Sequence, residues 1–205
     1  MRVAVAAALL AIAASPALAE RSCYDELESR RIGFKRVKKS GIAQAVEIHG
    51  TLGGVEVAGA SSLVIDCSLA VSLDEAGRYM RALGIDQALF SSAYSRRNVR
   101  GTNRPSKHSY GLAIDVHAFA GAELGTMRVV RDYEQGLGDA VDCVGIPMTQ
   151  AGAVLKVLQC QLVRSGLFHL VLSPDYDDAH HDHFHLEVRP WRERGELRAS
   201  SPAIH

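Results

Sequence analysis

The chain has 205 residues, 47% of them hydrophobic and 6% aromatic, with 23 basic and 23 acidic side chains. This is the composition of an ordinary globular protein, and nothing in it is typical of a long disordered region. The formal net charge of zero argues against a nucleic-acid-binding protein, which usually carries a clear basic excess.

The N-terminal segment differs in kind from the rest of the chain. A positive charge at Arg2 precedes an apolar run that ends in Ala-Leu-Ala at 17–19, the pattern of a cleavable secretory signal peptide. The run is shorter than the ~20 residues that a membrane-spanning helix needs. We therefore expect a signal peptide at 1–19 and one domain at 20–205 that is periplasmic or otherwise exported, without stable membrane insertion.

The expected mature chain contains four cysteines, namely Cys23, Cys67, Cys143 and Cys160. An even number in an oxidising compartment indicates two disulfides, for which three connectivities are possible. We favour Cys23–Cys67 and Cys143–Cys160, because each pair joins neighbours in sequence and closes a modest loop. Metal binding by thiolates is the alternative, and the cysteine spacing gives it little support.

The apolar pattern predicts the secondary structure in chain order. Alternation on both sides of Gly53-Gly54 predicts a β-hairpin with a two-residue turn. Helical spacing follows at 66–84, where Gly84 is the expected C-terminal stop. The predicted buried face of this helix consists of Leu69, Leu73, Ala76, Met80 and Leu83.

The second half of the chain continues with strands expected at 88–95 and 112–119 and an irregular surface excursion at 120–147. A second amphipathic helix is expected at 148–166, with Thr149 as N-cap and Gly166 as its stop. Strands at 167–173 and 183–188 complete the pattern. Because strands and helices do not alternate regularly, we expect a single α+β domain, with helices packed on a mainly antiparallel sheet.

The last predicted strand carries the most specific pattern. Its period of two places His183, His185 and Glu187 on one face, opposite the apolar residues Phe184, Leu186 and Val188. If the apolar face packs in the core, both histidines face a cleft from a rigid platform. An H-x-H pair alone is weakly specific, because a zinc site needs three or four nitrogen, oxygen or sulfur ligands.

The segment from Ser106 to Asp115 supplies further ligands. Asp115 lies within an apolar strand pattern, where a buried, unpaired carboxylate costs several kcal/mol and therefore requires a cation. Gly111 and Ala113 allow the backbone to approach closely and leave room for a turn at His108. Taken singly, His108 is better explained as a loop histidine and Asp115 as a turn or salt-bridge residue. Together with the H-x-H pair, they indicate a metal site.

These motifs carry a family resemblance. Ser106-x-His108-x-x-Gly111-x-Ala113-x-Asp115, followed by Asp182-His183-Phe184-His185, resembles the zinc D-Ala-D-Ala metallopeptidase and murein endopeptidase superfamily. Within it, the segment from His180 to His185 is most similar to the H-x-D-H-F-H ending of bacterial extensin-like C-terminal domain proteins. The resemblance covers the chain from about Cys67 onward. It implies an α+β fold, one zinc ion, and hydrolysis of stem peptides or crosslinks of peptidoglycan by an endopeptidase or carboxypeptidase.

The resemblance also implies roles for individual residues. His108, Asp115 and His185 would bind the Zn2+ ion, with water in an open fourth position. Asp182 and His183 are both candidates for the general base. We expect His183 to lie close to the zinc-bound water, with Asp182 acting as base or orienting an imidazole.

Substrate binding is expected of three further residues. Arg96 or Arg97 resembles the arginine with which relatives hold the carboxylate of the substrate. Ser106, at the start of the first motif, is the third. We expect His180 and His181 to support the ligands or face solvent, because extra ligands would over-fill a catalytic site, and Glu187 to support a ligand. The histidines expected to be structural or on the surface are His49, His117, His169 and His205.

Two alternative functions remain open at this point. The protein could be a non-catalytic, zinc-stabilised module that binds the cell wall, or the histidines could form a periplasmic metal-carrying site. Clustered ligands with surface exchange are typical of a carrier, whereas the sequence separation of His108 and Asp115 from the H-x-H pair favours a fixed site. Peptidoglycan peptides are the expected partners, nucleic acid is not, and the oligomeric state stays open.

Overall fold

A computed structural model of the chain describes residues 22–137 and 143–191. The predicted signal peptide at 1–19 lies outside these residues. The helices are α1 (Cys23–Ser29), α2 (Cys67–Ala82), α3 (Val129–Asp132) and α4 (Gln150–Arg164), with short 3-10 turns at Lys107–Tyr110 and Asp178–His180. The strands are β1 (Gly33–Arg36), β2 (Ala45–His49), β3 (Thr51–Leu52), β4 (Val55–Ala58), β5 (Val64–Asp66), β6 (Gln87–Ser92), β7 (Ala113–Gly121), β8 (Gly125–Arg128), β9 (Leu170–Leu172) and β10 (Phe184–Glu187).

The strands form two sheets, and the α+β prediction is confirmed. The smaller sheet has the order β1-β2-β5, and the larger has the order β3-β4-β6-β7-β10-β9, with β8 also paired to β7. In the larger sheet only the β4–β6 pairing of the described strands is parallel, so the sheet is mainly antiparallel as predicted.

Strand β7 is the centre of the larger sheet. It pairs with β6 on one side, and on the other side it pairs first with β10 and then with β8. The β7–β10 register places His185 directly opposite Asp115. Opposite residues of an antiparallel pair have their Cβ atoms about 4.5–5.5 Å apart, so this register brings two predicted ligands together.

The predicted hairpin forms at Gly53-Gly54. Leu52 pairs with Val55, and the two glycines have φ of 59° and 83°, the left-handed conformation that a type I′ turn requires. The first arm of this hairpin is short, because the apolar alternation before the turn is divided between two strands. Gly50, with φ of 85°, separates β3 from β2, and β2 belongs to the smaller sheet.

Helix α2 buries the face that its spacing predicts. Leu69, Leu73, Ala76 and Met80 are buried, and Leu83 is half-buried at the C-cap. Gly84 has φ of 81° and follows the cap as predicted. Helix α4 corresponds to the second predicted helix. Its N-cap is Thr149, as predicted, and the Thr149 hydroxyl accepts a hydrogen bond from the Gly152 N–H at 3.0 Å.

The segment predicted as irregular, 120–147, is partly regular. Strand β7 extends to Gly121, and the chain then turns back to form β8 and continues into α3. Met127 in β8 and Val129 in α3 are both buried. Two alternating apolar residues are too few to identify a strand by periodicity, so the sequence pattern does not predict β8.

Both disulfides have the predicted connectivity, Cys23–Cys67 and Cys143–Cys160. Cys23 begins α1 and Cys67 begins α2, so the first disulfide joins the starts of two helices. Two disulfides fit a protein that folds in an oxidising compartment. In the described part of the chain, no helix has both the length and the apolar character that a membrane span requires.

Removing a disulfide tests its contribution to stability. Replacing Cys23 and Cys67 together by alanine is expected to lower the free energy of unfolding by about 2–5 kcal/mol, because the unfolded chain is no longer constrained. The matched variant lacks Cys143 and Cys160, whose sequence separation is 17 rather than 44. Its loss should be about 1 kcal/mol smaller if loop closure dominates. Guanidinium unfolding of both variants measures this, and equal losses would contradict the loop-length explanation.

Candidate metal centre

The centre is built on the paired strands β7 and β10. The His185 Nδ1 atom lies 2.8 Å from Asp115 Oδ1, and the two residues are 9% and 5% exposed. The other face of β10 is fully buried, with Phe184, Leu186 and Val188 each at 0% exposure, which confirms the predicted alternation. The two polar side chains therefore share the opposite face of a rigid sheet.

The third side chain comes from the 3-10 turn before β7. The Ser106 hydroxyl caps this turn by accepting a hydrogen bond from the His108 N–H at 3.4 Å. Gly111 ends the turn with φ of 64°, and a Cβ there would lie 2.7 Å from Ile42 Cδ1 and 2.8 Å from the Asp66 backbone nitrogen. Only glycine fits this position, and the turn folds His108 back over Asp115.

Each of the three side chains contributes one atom to the centre, and these atoms lie close together. His108 Nε2 lies 3.1 Å from Asp115 Oδ1 and 3.3 Å from His185 Nδ1. We call His108, Asp115 and His185 the inner triplet, and all three are buried. A tetrahedral zinc ion with bonds of about 2.0–2.1 Å holds its ligand atoms roughly 3.3 Å apart. The two distances from His108 Nε2 are close to this value, whereas the 2.8 Å between His185 Nδ1 and Asp115 Oδ1 is a hydrogen-bond distance, and these two atoms would have to move apart to hold an ion.

The hydrogen-bond partners of the rings determine which nitrogens face the centre. His108 Nδ1 lies 3.1 Å from the Ala93 carbonyl, which can only accept, so the proton of the neutral ring is assigned to Nδ1. Its Nε2 faces the Asp115 carboxylate, to which it donates a hydrogen bond when it carries a proton, and it offers a lone pair to a metal ion when it does not. On the other ring, His185 Nε2 lies 3.6 Å from Glu187 Oε2. Converging lone pairs and a carboxylate in a buried site require a cation, either a proton or a metal ion.

The acid–base properties of the inner triplet reflect this requirement. Burial acts to raise the pKa of Asp115, but the hydrogen bonds with His108 and His185 outweigh it and hold the pKa far below its usual range. Burial acts to lower the pKa of His185, but Asp115 and Glu187 outweigh it and raise the pKa to about 9. Without a metal ion, a proton on His185 therefore neutralises Asp115 near pH 7.

The two candidates for the general base lie beside the inner triplet. His183 is half-buried, and its Nε2 lies 3.4 Å from Asp115 Oδ1. The other nitrogen, Nδ1, lies 2.7 Å from Oδ1 of the exposed Asp182. This hydrogen bond lowers the pKa of Asp182. The carboxylate thus contacts and orients an imidazole, one of the two roles expected for it.

A second group of possible ligands overlaps the first. Potential ligand atoms of His180, His183 and His185 lie within 4.8 Å of one another, and we call this group the outer triplet. His180 Nδ1 lies 2.5 Å from Asp177 Oδ1, and its ring centroid lies 5.2 Å from that of His183. His181, in contrast, is exposed and hydrogen-bonds the Asp178 carbonyl.

The three expected substrate-binding residues lie at different distances from the centre. The Arg97 guanidinium is half-exposed and lies 3.4 Å from Asp115 Oδ2, so it reaches the inner triplet. Arg96 is exposed and lines a surface cavity of about 510 Å³ with Arg97 and Tyr110. Ser106 is buried, and its hydroxyl caps the turn of His108. Their contact with substrate stays a prediction.

The remaining histidines differ in their relation to the site. His117 follows Asp115 by two positions on β7, and burial and the nearby Arg128 lower its pKa. His169 accepts a hydrogen bond from Arg189 at 3.2 Å, and His49 is exposed on β2. His205 lies outside the described residues.

Sequence reasoning missed two contributors to the site. The carbonyl of Ala93 orients His108, and a backbone acceptor leaves no mark in the sequence. Asp177 orients His180 and also caps the second 3-10 turn by accepting from the Ala179 and His180 N–H groups. In the sequence, Asp177 could be recognised only as an aspartate directly before a short turn. Many surface turns have an aspartate at this position, so the pattern does not single out Asp177.

A family model described as the extensin-like protein C-terminus matches residues 21–197. The chain belongs to the extensin-like C-terminal family. The matched region of this extensin-like protein includes both histidine segments and every residue of the two triplets. Comparisons with curated proteins and with solved structures found no significant match.

Glu187 should tune the affinity of the centre. We expect Glu187→Gln to weaken Zn2+ binding about 10–100-fold, because the carboxylate beside Nε2 orients His185 and makes its other nitrogen a better ligand. Competition with a chromophoric chelator measures the dissociation constant. Glu123→Gln, an exposed change in the turn between β7 and β8, is the control and should bind as the wild type does. Equal affinities for the two variants would contradict the role of Glu187.

Metal binding should also release protons. With a pKa of about 9, His185 carries a proton at pH 7, and it must lose it to bind a metal ion. Zn2+ binding at pH 7 is therefore expected to release about one proton per ion, and affinity should rise with pH up to about 9. Titration calorimetry in two buffers with different heats of ionisation counts the protons. Binding without proton release would show that His185 is already neutral.

Proposed function

We propose that this extensin-like protein is an exported zinc metallopeptidase that hydrolyses peptide bonds of peptidoglycan, in a stem peptide or a crosslink. The relation to the zinc D-Ala-D-Ala metallopeptidase and murein endopeptidase superfamily, drawn from the two motifs, is part of this proposal. The observation that carries it is the inner triplet, in which two imidazole nitrogens and a carboxylate oxygen converge in a buried position.

The donor set fits a catalytic rather than a closed structural zinc site. Structural sites use four protein ligands, whereas catalytic sites use three and keep an open position. Here three buried residues would hold the ion, and Nε2 of the half-buried His183 lies 3.4 Å from Asp115 Oδ1. A zinc ion held there would polarise the scissile carbonyl and lower the pKa of a bound water.

The pair of His183 and Asp182 supplies a proton carrier. Because Asp182 holds Nδ1 of the ring, Nε2 faces the centre and can accept a proton from the attacking water. The same nitrogen can then donate that proton to the leaving amine. Asp182 keeps the ring in this tautomer and stabilises its charged form, which accounts for the presence of both candidates.

Arg97 would position the substrate. Its guanidinium lies 3.4 Å from Asp115 Oδ2 and remains half-exposed, so part of its donor surface is available to a carboxylate. A guanidinium binds a carboxylate with two parallel hydrogen bonds, which fixes orientation as well as position. Peptidoglycan peptides carry such carboxylates, and the expected export brings the enzyme to them.

The first experiment tests cleavage directly. Mature protein from Glu20 onward is treated with a chelator, divided, and mixed with purified peptidoglycan with or without restored Zn2+. Mass spectrometry then reads the released fragments. We expect fragments only with Zn2+, and their masses identify the bond. An absence of fragments from protein that demonstrably holds zinc would contradict the peptidase and favour the wall-binding module.

Substitutions separate binding of the metal from turnover. We expect His183→Gln to lower the cleavage rate about 10²–10⁴-fold with zinc content retained, because only proton transfer is lost. His108→Ala should lose both zinc and cleavage. His181→Gln is the matched control, since His181 belongs to neither triplet. Unchanged cleavage by His183→Gln, measured on the same peptidoglycan, would rule out this mechanism.

A further inference from the structure

The two triplets differ in their access to solvent. The inner triplet is buried, with His108 at 0%, Asp115 at 5% and His185 at 9% exposure. In the outer triplet, His180 and His183 are half-buried, and only His185 is buried. His185 belongs to both groups. A second and more exposed set of nitrogen ligands therefore lies next to the inner triplet and shares one ring with it.

The outer rings are held ready to bind. Asp177 engages Nδ1 of His180, and Asp182 engages Nδ1 of His183, which leaves Nε2 of each ring without its proton. The ring centroid of His180 lies 5.2 Å from that of His183 and 5.7 Å from that of His185. Rings oriented in advance lose less freedom when they bind an ion.

Negative charge is concentrated at the same place. Asp177, Asp178 and Asp182 are exposed around the outer triplet, although the whole chain has a formal net charge of zero. A local cluster of one charge sign raises the local concentration of oppositely charged ions and the rate at which they arrive. The neighbourhood of the outer triplet thus favours the arrival of cations.

A hydrated divalent ion exchanges its water molecules for protein ligands when it binds, and more exposed ligands can begin this exchange. We propose that the outer triplet captures the ion from solution and passes it to the inner triplet through His185. In this exchange His180 and His183 release the ion, and His108 and Asp115 replace them. The inference rests on the metal centre of the proposed function but not on the peptidase reaction.

Stopped-flow mixing of metal-free protein with Co2+, followed by its visible absorption, tests this order of events. We expect His180→Gln to slow both association and dissociation about tenfold or more while the dissociation constant stays nearly unchanged, because a capture site changes the path and not the end state. His181→Gln, the neighbouring exposed histidine, is the control and should keep wild-type rates. Asp178→Asn should slow association at low salt only, since salt screens an exposed charge.

Two results would overturn the inference. Unchanged association in His180→Gln would show that the outer triplet is not on the path. A weakened dissociation constant caused by faster release alone would show that His180 supports the final site. Failure of the centre itself is distinguishable, because wild type and His108→Ala would then bind Co2+ equally weakly at equilibrium, and both proposals would fall.

Discussion

A carboxylate in the middle of a buried strand is the constraint on which the rest of the site depends. Asp115 has Ile114 and Val116 beside it in β7 and is itself 5% exposed, so it cannot remain charged without a cation close by. Two imidazoles approach the same oxygen, one from the paired strand and one from the preceding turn. The register of β7 with β10 and the glycine that ends the turn serve this one contact.

The surrounding hydrogen bonds have a common effect, although their acceptors differ. A backbone carbonyl holds His108, and side-chain carboxylates hold His180 and His183. Each acceptor fixes one nitrogen of a ring and thereby selects the nitrogen that faces inwards. An imidazole without such a partner can present either nitrogen, and a centre made of three such rings would lack a defined geometry. The orientation of the rings at the centre is thus fixed by hydrogen-bond acceptors that are not themselves ligands.

Local pattern was sufficient for much of this arrangement. The period of two placed His185 with His183 and buried Phe184, and an aspartate within an apolar strand marked Asp115 as unusual. Long-range pairing was beyond such reasoning. The break at Gly50 that sends β2 to another sheet depends on the packing of distant segments. The approach of His180 to His185 depends on the 3-10 turn at Asp178–His180, which hydrophobic periodicity does not reveal. The family match confirms the extensin-like resemblance and the structure confirms the fold class, whereas zinc, the general base and the substrate stay predictions.

The separation of the ligands along the chain has a consequence for folding. His108 and His185 are 77 residues apart, and their meeting depends on β10 lying between β7 and β9. Pairing over such a distance carries a large loop-closure entropy and belongs to the slow part of folding. A nascent chain that ends before β10 has only two of the three inner ligands. An ion can therefore be bound by all three side chains only after the central sheet has formed. Binding by the complete inner triplet would thus indicate that the chain has folded.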